Sequence, residues 1–298
     1  MHRERRLLWA ARDSGALDAL LSTAGTPASV ATETGLDERD AALLVDALAE
    51  QGFLERVGEE YEPTNRLLGF LTKTDLRSIG TLPQALDDFT RWAALPDTLR
   101  GEPVPEPTHA LRNRLGAMED APEAHVRAVV TEALRATPDA ERITVLADGP
   151  GRHAREAAER GLAVTLVETP EIIGEIRPLL APTPVEPVAG DPSGTVPDAD
   201  LVIAVDVARR YDEPALTRLL ARAAGALGSE GAVVLVEPLR GETPGVALDA
   251  VEARARGESG RTHTRAAFER VFEAAGLRLD VRDVPGTDRF ALRGRGVE

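Results

Sequence analysis

The sequence predicts an α/β protein that begins with an all-α domain, and three observations lead to this prediction. From residue 140 onward, apolar β-branched runs alternate with amphipathic helical segments, which indicates a parallel sheet covered on both faces. The preceding part of the chain carries mainly helical periodicity. A Pro-rich link at 101–109 separates the two patterns, so we predict domains of residues 1–105 and 106–298.

The composition excludes several classes of protein. The chain has no cysteine, which excludes disulfides, zinc–thiolate sites, iron–sulfur clusters and cysteine nucleophiles, and we predict no metal site. Apolar residues make up 43% of the sequence, but no run approaches the ~20 apolar residues of a membrane span. The first residues lack the apolar core and cleavage site of a signal peptide. We therefore expect a cytoplasmic protein without membrane association.

The charge balance is strongly acidic. The sequence has 50 acidic against 35 basic residues, a formal net charge of −15, and its one lysine is Lys73. An acidic, lysine-poor surface is what we expect of a halophile, and the alternative is an acidic protein from a mesophile. Such a charge repels phosphate backbones at low salt.

The N-terminal domain has the order helix, turn, helix, hairpin. Thr26-Pro27 opens a short helix and Gly35 ends it, after which Asp37 is predicted to cap a second helix. Four apolar residues are expected on the buried side of that second helix: Leu43, Leu44, Ala47 and Leu48. The alternating stretch 52–64 then predicts a hairpin that turns at Gly58-Glu59. This order is typical of a winged helix.

A winged helix often binds DNA through its second helix, which then presents basic and amide side chains. Here that helix reads DERDAALLVDALAEQ, with one arginine against five acidic residues. Its charge would repel DNA, so we interpret the module as structural or dimerising and predict a homodimer formed through the N-terminal domain.

The remaining helices and the strands follow from their periodicity. Residues 75–100 and 110–136 are predicted to be helical. Five parallel strands are predicted at 142–148, 163–168, 185–191, 199–207 and 231–239. The C-terminal stretch 262–295 reads as helix, strand, turn and strand, with the last two strands forming an antiparallel edge.

Candidate ligand-binding residues lie where the parallel strands end, because ligands of open α/β sheets bind outside the carboxyl ends of the strands. The first strand ends in a small-residue turn that lets a ligand approach the backbone: Ala147, Asp148, Gly149, Pro150 and Gly151. The second strand ends at Glu168, whose carboxylate can accept from both hydroxyls of a ribose. The third ends at Asp191, which could accept from an adenine amino group, and the fourth ends near Asp206.

The turn by itself leaves the ligand open. A dinucleotide site prefers the pattern G-x-G-x-x-G, and Gly149 and Gly151 are followed here by Ala154 as the third small residue. An ordinary strand–helix turn is the other alternative.

The whole order of motifs resembles the S-adenosylmethionine-dependent O-methyltransferases of the plant caffeic-acid and bacterial polyketide type. The matching stretches are the helical N-terminal domain, VLADGPGRHA, VTLVETPEII, VAGD, the long run that begins ADLVIAVDVARRYDEP, and LVEP, so the resemblance covers residues 5–293. It implies a Rossmann-like class I methyltransferase sheet preceded by a winged-helix dimerisation domain, with S-adenosylmethionine as cofactor.

The resemblance also implies roles for the strand-end residues. Gly149 and Gly151, with Ala147 and Asp148, would line the methionine and ribose region of the cofactor. Glu168 would bind the ribose and Asp191 would lie by the adenine, with Asp206 nearby. Met118 falls where the family has a methionine near the acceptor, although a core-filling methionine is the alternative.

The expected catalytic positions depart from the family pattern. The family's general base is a histidine in a segment like H-D-W-x-D-E, and the equivalent RRYDEP places Arg209 there, with Arg210 beside it as a candidate acceptor ligand. Arginine stays protonated and cannot accept a proton. Glu237 matches one of two family glutamates that flank the base, whereas the other falls near Thr262.

Four interpretations of this departure stay open at the sequence level. Arg209 could stabilise an acceptor that is already an ionised phenolate, enolate or carboxylate. His263 could act as the base from a neighbouring loop. Arg209 and Arg210 could simply form surface ion pairs, or the domain could bind cofactor without transferring its methyl group.

We therefore predict an S-adenosylmethionine-dependent methyltransferase that acts on a small, cyclic or phenolic molecule. The competing hypothesis is a catalytically degenerate cofactor-binding or regulatory protein, such as a winged-helix transcription regulator built on the same fold.

Overall fold

The computed structural model describes residues 2–71, 75–258 and 261–296, without the side chains of residues 2, 70 and 71. The chain divides into two compact units, residues 1–120 and 121–298. The division falls after the helix at 110–119, whereas the sequence placed it before that helix.

The first unit is helical apart from one hairpin. Its elements are α1 (His2–Asp13), α2 (Ala16–Ser22), α3 (Pro27–Thr34), α4 (Glu38–Glu50), β1 (Leu54–Val57), β2 (Glu60–Pro63), α5 (Asn65–Leu71), α6 (Leu76–Ile79), α7 (Leu82–Thr98) and α8 (Ala110–Glu119). The helix α8 packs on α6 and α7. This packing explains why the boundary lies beyond the Pro-rich link.

A buried polar network joins three helices of the first unit. Asp87 of α7 has no exposed surface. Its Oδ1 accepts from Arg12 Nη1 of α1 at 2.8 Å, and its Oδ2 accepts from Asn113 Nδ2 of α8 at 2.9 Å. Because removing either donor would leave a buried carboxylate partly unsatisfied, this network ties α8 to the first unit.

The predicted caps and hairpin are present in the first unit. Asp37 accepts from Arg39 N at 2.9 Å at the start of α4, and Val57 pairs with Glu60 across the tight turn of the hairpin. The prediction that Leu43 is buried is wrong, since 61% of its surface is exposed. The buried stripe of α4 instead consists of residues at i, i+4 and i+7: Ala41, Val45 and Leu48.

The second unit contains the sheet. Its elements are α9 (Glu123–Leu134), β3 (Arg142–Leu146), α10 (Arg152–Glu159), β4 (Ala163–Glu168), α11 (Pro170–Leu180), β5 (Glu186–Ala189), β6 (Ala199–Val205), a 3-10 turn (Ala208–Arg210), α12 (Glu213–Gly225), β7 (Leu227–Glu237), α13 (Val246–Ala255), α14 (Arg265–Ala274), β8 (Leu277–Asp283) and β9 (Phe290–Gly296). The helix α13 was not predicted from the sequence.

The seven strands lie in the order β5-β4-β3-β6-β7-β9-β8. The strands β3 to β7 pair in parallel, and β9 pairs antiparallel with both β7 and β8. The order reverses between β3 and β6, so the turns that follow these two strands flank the switch point of the sheet. The predicted α/β fold class is confirmed. In the antiparallel pair at the end of the sheet, β9 lies next to β7 and β8 is the edge strand.

Within the described part of the chain, no helix is both long and apolar enough to cross a membrane.

Candidate functional site

The turn after β3 brings the chain sharply from the sheet into α10. Gly149 and Gly151 have positive φ angles of 58° and 79°, and Ala147 has φ 55°, a conformation that costs an L side chain about 1 kcal/mol. A Cβ on Gly151 would lie 3.1 Å from Leu166 Cδ2 and 3.2 Å from Leu180 Cδ2. Glycine at 151 is therefore needed for both the turn and its packing.

Asp148 holds the first turn of α10. Its Oδ2 accepts from the backbone N–H groups of His153 at 2.8 Å and Ala154 at 3.0 Å, which satisfies donors that a helix start leaves free. Its Oδ1 lies 2.5 Å from His153 Nδ1. Burial by itself lowers the pKa of His153, but the carboxylates of Asp148 and Asp206 together raise it above its usual value. These carboxylates thus favour the charged form of the imidazole, which burial opposes.

Glu168 joins the end of β4 to the glycine turn. Its carboxyl is fully buried, and Oε1 accepts from Gly149 N at 2.8 Å while Oε2 accepts from Thr169 N at 3.0 Å. Burial raises the pKa of Glu168, and the two backbone hydrogen bonds and the charge of Arg210 partly offset that rise. Each oxygen keeps a second lone pair that can accept a hydroxyl.

The end of β5 is more open. Asp191 is exposed, and its Oδ1 accepts from both the N–H and the hydroxyl of Ser193 at 2.8 Å. Tyr211 is half-buried nearby: burial raises the pKa of its phenol, Arg210 lowers it, and Asp191 and Glu168 raise it further. The charged residues at the ends of β4 and β5 thus influence this phenol.

Asp206 follows β6 with φ 54°. Arg289, in the turn between β8 and β9, donates to it from Nε to Oδ1 at 2.9 Å and from Nη2 to Oδ2 at 3.2 Å. This two-point ion pair fixes the carboxylate that was predicted to contact the cofactor.

Glu237, the last residue of β7, fixes the chain that follows Asp206. Its Oε1 accepts from Val207 N at 2.7 Å and Ala208 N at 2.8 Å, and the residue is only 3% exposed. Burial, with a contribution from Asp206, raises the pKa of Glu237 to about 8. Burial thus favours the neutral form of this carboxyl, and the two backbone donors favour the charged form.

Arg209 lies next to this anchored segment. Its Nε is 3.3 Å from Glu258 Oε2, close enough for an ion pair, although the angles are not those of a hydrogen bond. At this separation the two charges attract each other, because Coulomb attraction depends on separation more than on angle. The side chain of Arg209 is 32% exposed.

His263 packs behind the same segment. It is 3% exposed, its Nε2 lies 3.3 Å from the carbonyl oxygen of Ala208, and its ring packs on Phe268. Burial lowers the pKa of His263, while the backbone of Ala208 and Tyr211 opposes that fall. Burial thus disfavours the charged form of the ring, which is bonded to the backbone.

A small cavity of about 10 Å³, the space of a single water molecule, brings four of the predicted residues together. It is lined by Asp206, Ala208, Arg209, Glu237, Pro238, Asp249, Thr262, His263 and Phe268. The two residues assigned to the acceptor belong to different units, since Met118 lies in α8 and Arg210 follows β6.

Four residues at this edge were not predicted. His153 lies two residues after Gly151 in the first turn of α10, and this position was a usable signal. Tyr211, Glu258 and Arg289 carry no comparable signal, because their partners are distant in sequence.

The model of the O-methyltransferase domain family matches residues 118–278, more than half of the chain. The chain belongs to this O-methyltransferase family. The family uses S-adenosylmethionine, and the structural neighbours include one in complex with that molecule and one with S-adenosylhomocysteine bound. The predicted cofactor is thereby confirmed. In the comparison with curated proteins, none matches the chain by sequence.

Solved structures of methyltransferases share the fold. Mitomycin 7-O-methyltransferase MmcR is 20% identical with a TM-score of 0.71, and the match covers 99% of this chain and 95% of that one. Human N-acetylserotonin methyltransferase in complex with SAM is 21% identical with a TM-score of 0.63, covering 99% and 94%. The N,N-8-amino-8-demethyl-D-riboflavin dimethyltransferase RosA from Streptomyces davawensis is 19% identical with a TM-score of 0.70, covering 99% and 96%.

Proposed function

We propose that the protein transfers the methyl group of S-adenosylmethionine to an oxygen atom of a small, cyclic or phenolic molecule. The observation that supports this most is the hydrogen bond between Glu168 and Gly149, which couples an acidic strand end to a tight glycine turn at the switch point of the sheet. A carboxylate beside such a turn suits a ribose that approaches the backbone closely.

The donor contacts follow from this arrangement. Ala147, Asp148, Gly149 and Gly151 would border the methionine and ribose, and Asp206 would lie beside them. The lone pairs that Glu168 retains would accept from the ribose hydroxyls, and the exposed Asp191 would accept from the adenine amino group. The small turn residues and the carboxylates at the strand ends fit S-adenosylmethionine.

Donor binding requires a local change around Glu168, because its carboxyl has no exposed surface. Arg210 and Tyr211 are partly exposed and lie near it. We propose that these two side chains move aside when the ribose binds.

The acceptor would lie on the side of Arg209, Glu237 and His263, with Arg210 as a further contact. Bound donor supplies an electrophilic methyl group, and the residues contribute mainly position and charge. Arg209 would stabilise negative charge on the acceptor oxygen.

A homodimer through the N-terminal, winged-helix-like domain is part of the proposal. Large apolar side chains are exposed on α4 and the hairpin, at Leu43 and Val57, where a second copy could cover them. The acidic residues of α4 make a nucleic acid an unsuitable partner for the same surface. Light scattering of the purified protein tests the dimer, and a monomer at micromolar concentration would contradict it.

Calorimetric titration with S-adenosylmethionine at high salt tests the donor site. We expect binding to the native protein and at least about tenfold weaker binding to Glu168→Ala, because hydrogen bonds to a charged group are lost. Glu168→Gln, which keeps one acceptor oxygen, should fall between the two. Asp280→Asn, at an exposed carboxylate of β8, is the matched control.

Circular dichroism should show that each variant is folded. Absence of binding to the native protein, or unchanged affinity in a folded Glu168→Ala variant, would contradict the proposal.

A further inference from the structure

The position next to the anchored segment 206–208 carries a permanent cation. The guanidinium of Arg209 cannot accept a proton at any pH at which the protein is folded. It is partly exposed and paired with Glu258 at 3.3 Å, so a ligand can reach it. Any acceptor oxygen placed there meets a positive charge.

The other candidate bases around Arg209 are already engaged. Glu237 Oε1 accepts two backbone N–H groups, and its carboxyl is buried. His263 is equally buried and faces the carbonyl of Ala208. Both residues are only 3% exposed, so neither presents a proton-accepting atom at the surface where an acceptor could reach Arg209.

Apart from Arg289, a second cation, the remaining titratable groups that line the small cavity or pair with its lining residues are carboxylates. Asp206 is held by Arg289 through two hydrogen bonds, Glu258 faces Arg209, and Asp249 lies in α13. Carboxylates with reference pKa values near 4 are weak bases towards a phenol, whose reference pKa is near 10. Within the described part of this unit, the residues around Arg209 can stabilise negative charge on an acceptor, but they include no effective base.

We infer that the acceptor arrives as an oxyanion, the conjugate base of a carboxylic acid or of a strongly acidic phenol or enol, and is bound in that form by Arg209. This inference rests on the proposed function, and it specifies the class of acceptor.

The transfer balances without a proton acceptor. A lone pair of the oxyanion forms the new O–CH₃ bond, and the S–CH₃ bond breaks with its electron pair remaining on sulfur. The acceptor loses its negative charge and the sulfonium becomes a neutral thioether. Arg209 stays protonated throughout.

Binding can be tested without turnover. We would titrate a panel of aromatic and aliphatic carboxylic acids, each with its neutral carboxamide, into the protein saturated with S-adenosylhomocysteine. At least one acid should bind about tenfold or more tightly than its amide, and Arg209→Gln should remove that preference. The control Arg142→Gln removes an exposed arginine at the opposite end of β3 and should keep it.

Kinetics provide the second test. With radiolabelled donor, the native protein should methylate acids and 4-nitrophenol at pH 7.5, and its rate with unsubstituted phenol should rise about tenfold per pH unit, following ionisation of the phenol itself. Arg209→His introduces a group that can accept a proton. It should gain activity on unsubstituted phenol at pH 7.5 and lose activity on the acids.

The outcomes separate the two proposals. Failure of the native protein to bind S-adenosylmethionine contradicts the proposed function itself. Two outcomes overturn the oxyanion inference alone, provided that the native protein binds the donor. In the first, no acid in the panel is bound or methylated. In the second, ionised and un-ionised acceptors are methylated at equal rates at pH 7.5.

Discussion

Arg289 donates two hydrogen bonds to Asp206, a residue 83 positions earlier, from Nε to Oδ1 at 2.9 Å and from Nη2 to Oδ2 at 3.2 Å. The pair connects the turn between β8 and β9 to the end of β6. It also offsets the cost of the left-handed backbone at Asp206, whose φ is 54°.

Removing this pair should reduce stability modestly. We expect Arg289→Gln to lower the free energy of unfolding by about 1 kcal/mol, because both side chains are partly solvated and water screens part of the attraction. Denaturant unfolding measures the change. Arg282→Gln, which breaks the more exposed pair with Asp280, should cost less, and an equal loss in both variants would contradict a special role for Arg289.

Glu237 should make the protein less stable as the pH rises. Its pKa is about 8 in the folded protein against an ordinary value of 4.5. The unfolded chain therefore loses this proton first, and the contribution of Glu237 to the free energy of unfolding falls between these two values and stays constant above them. Glu237→Gln keeps an oxygen that accepts from Val207 and Ala208 but does not titrate.

The free energy of unfolding of Glu237→Gln, relative to the native protein, should therefore increase from pH 5 to pH 8.5. Chemical unfolding at several pH values measures this difference. Glu230→Gln, at an exposed position of the same strand, is the control for general effects of charge. A pH-independent difference for Glu237→Gln would show that the carboxyl titrates normally.

His153 should titrate above its usual pKa because of Asp148. In the native protein the NMR titration midpoint of His153 should lie above 6.5, and in Asp148→Asn it should fall below 6.5, since burial then dominates. Selective labelling of the five histidines and the missing signal of His153→Gln assign the resonance. Midpoints that do not differ between native protein and Asp148→Asn would contradict the assigned cause.

Salt should stabilise the whole protein. A net charge of −15 produces self-repulsion that favours unfolding, and molar salt screens charges beyond about 3 Å. We expect the melting temperature to rise between 0.1 and 1 M KCl and to rise equally in NaCl. Sucrose at matched osmolality controls for exclusion of solute from the surface, and a melting temperature that falls with KCl would be incompatible with this account.

Much of the fold is readable in the sequence because its signals are local. The caps at Thr26 and Asp37, the turn at Gly58 and the apolar strands all depend on residues a few positions apart, and the structure has each of them. The helix α13 was missed because its apolar residues follow no single face; Leu248 and Val251 are exposed and Val246 is buried. The burial of Leu43 was mispredicted because periodicity identifies a stripe only to within one residue.

The candidate site was predictable only in part. Strand-end acids such as Glu168 and Glu237 follow from the position of the strands. What each carboxylate binds depends on partners far along the chain: Glu168 meets a backbone 19 residues earlier and Asp206 meets Arg289. Patterns of nearby residues do not report contacts between distant parts of the chain. That these carboxylates bind other parts of the protein is therefore visible only in the structure.

The loop at residue 209 is anchored in a way that affects how such proteins diversify. Glu237 accepts from the N–H groups of Val207 and Ala208, and His263 is bonded to the Ala208 carbonyl. The backbone that carries residue 209 is held by side chains at other positions and by backbone hydrogen bonds, and none of these bonds uses the side chain at 209. Evolution can therefore exchange the side chain at 209 without rebuilding the loop, and a single codon change would turn a proton-accepting site into an anion-binding one.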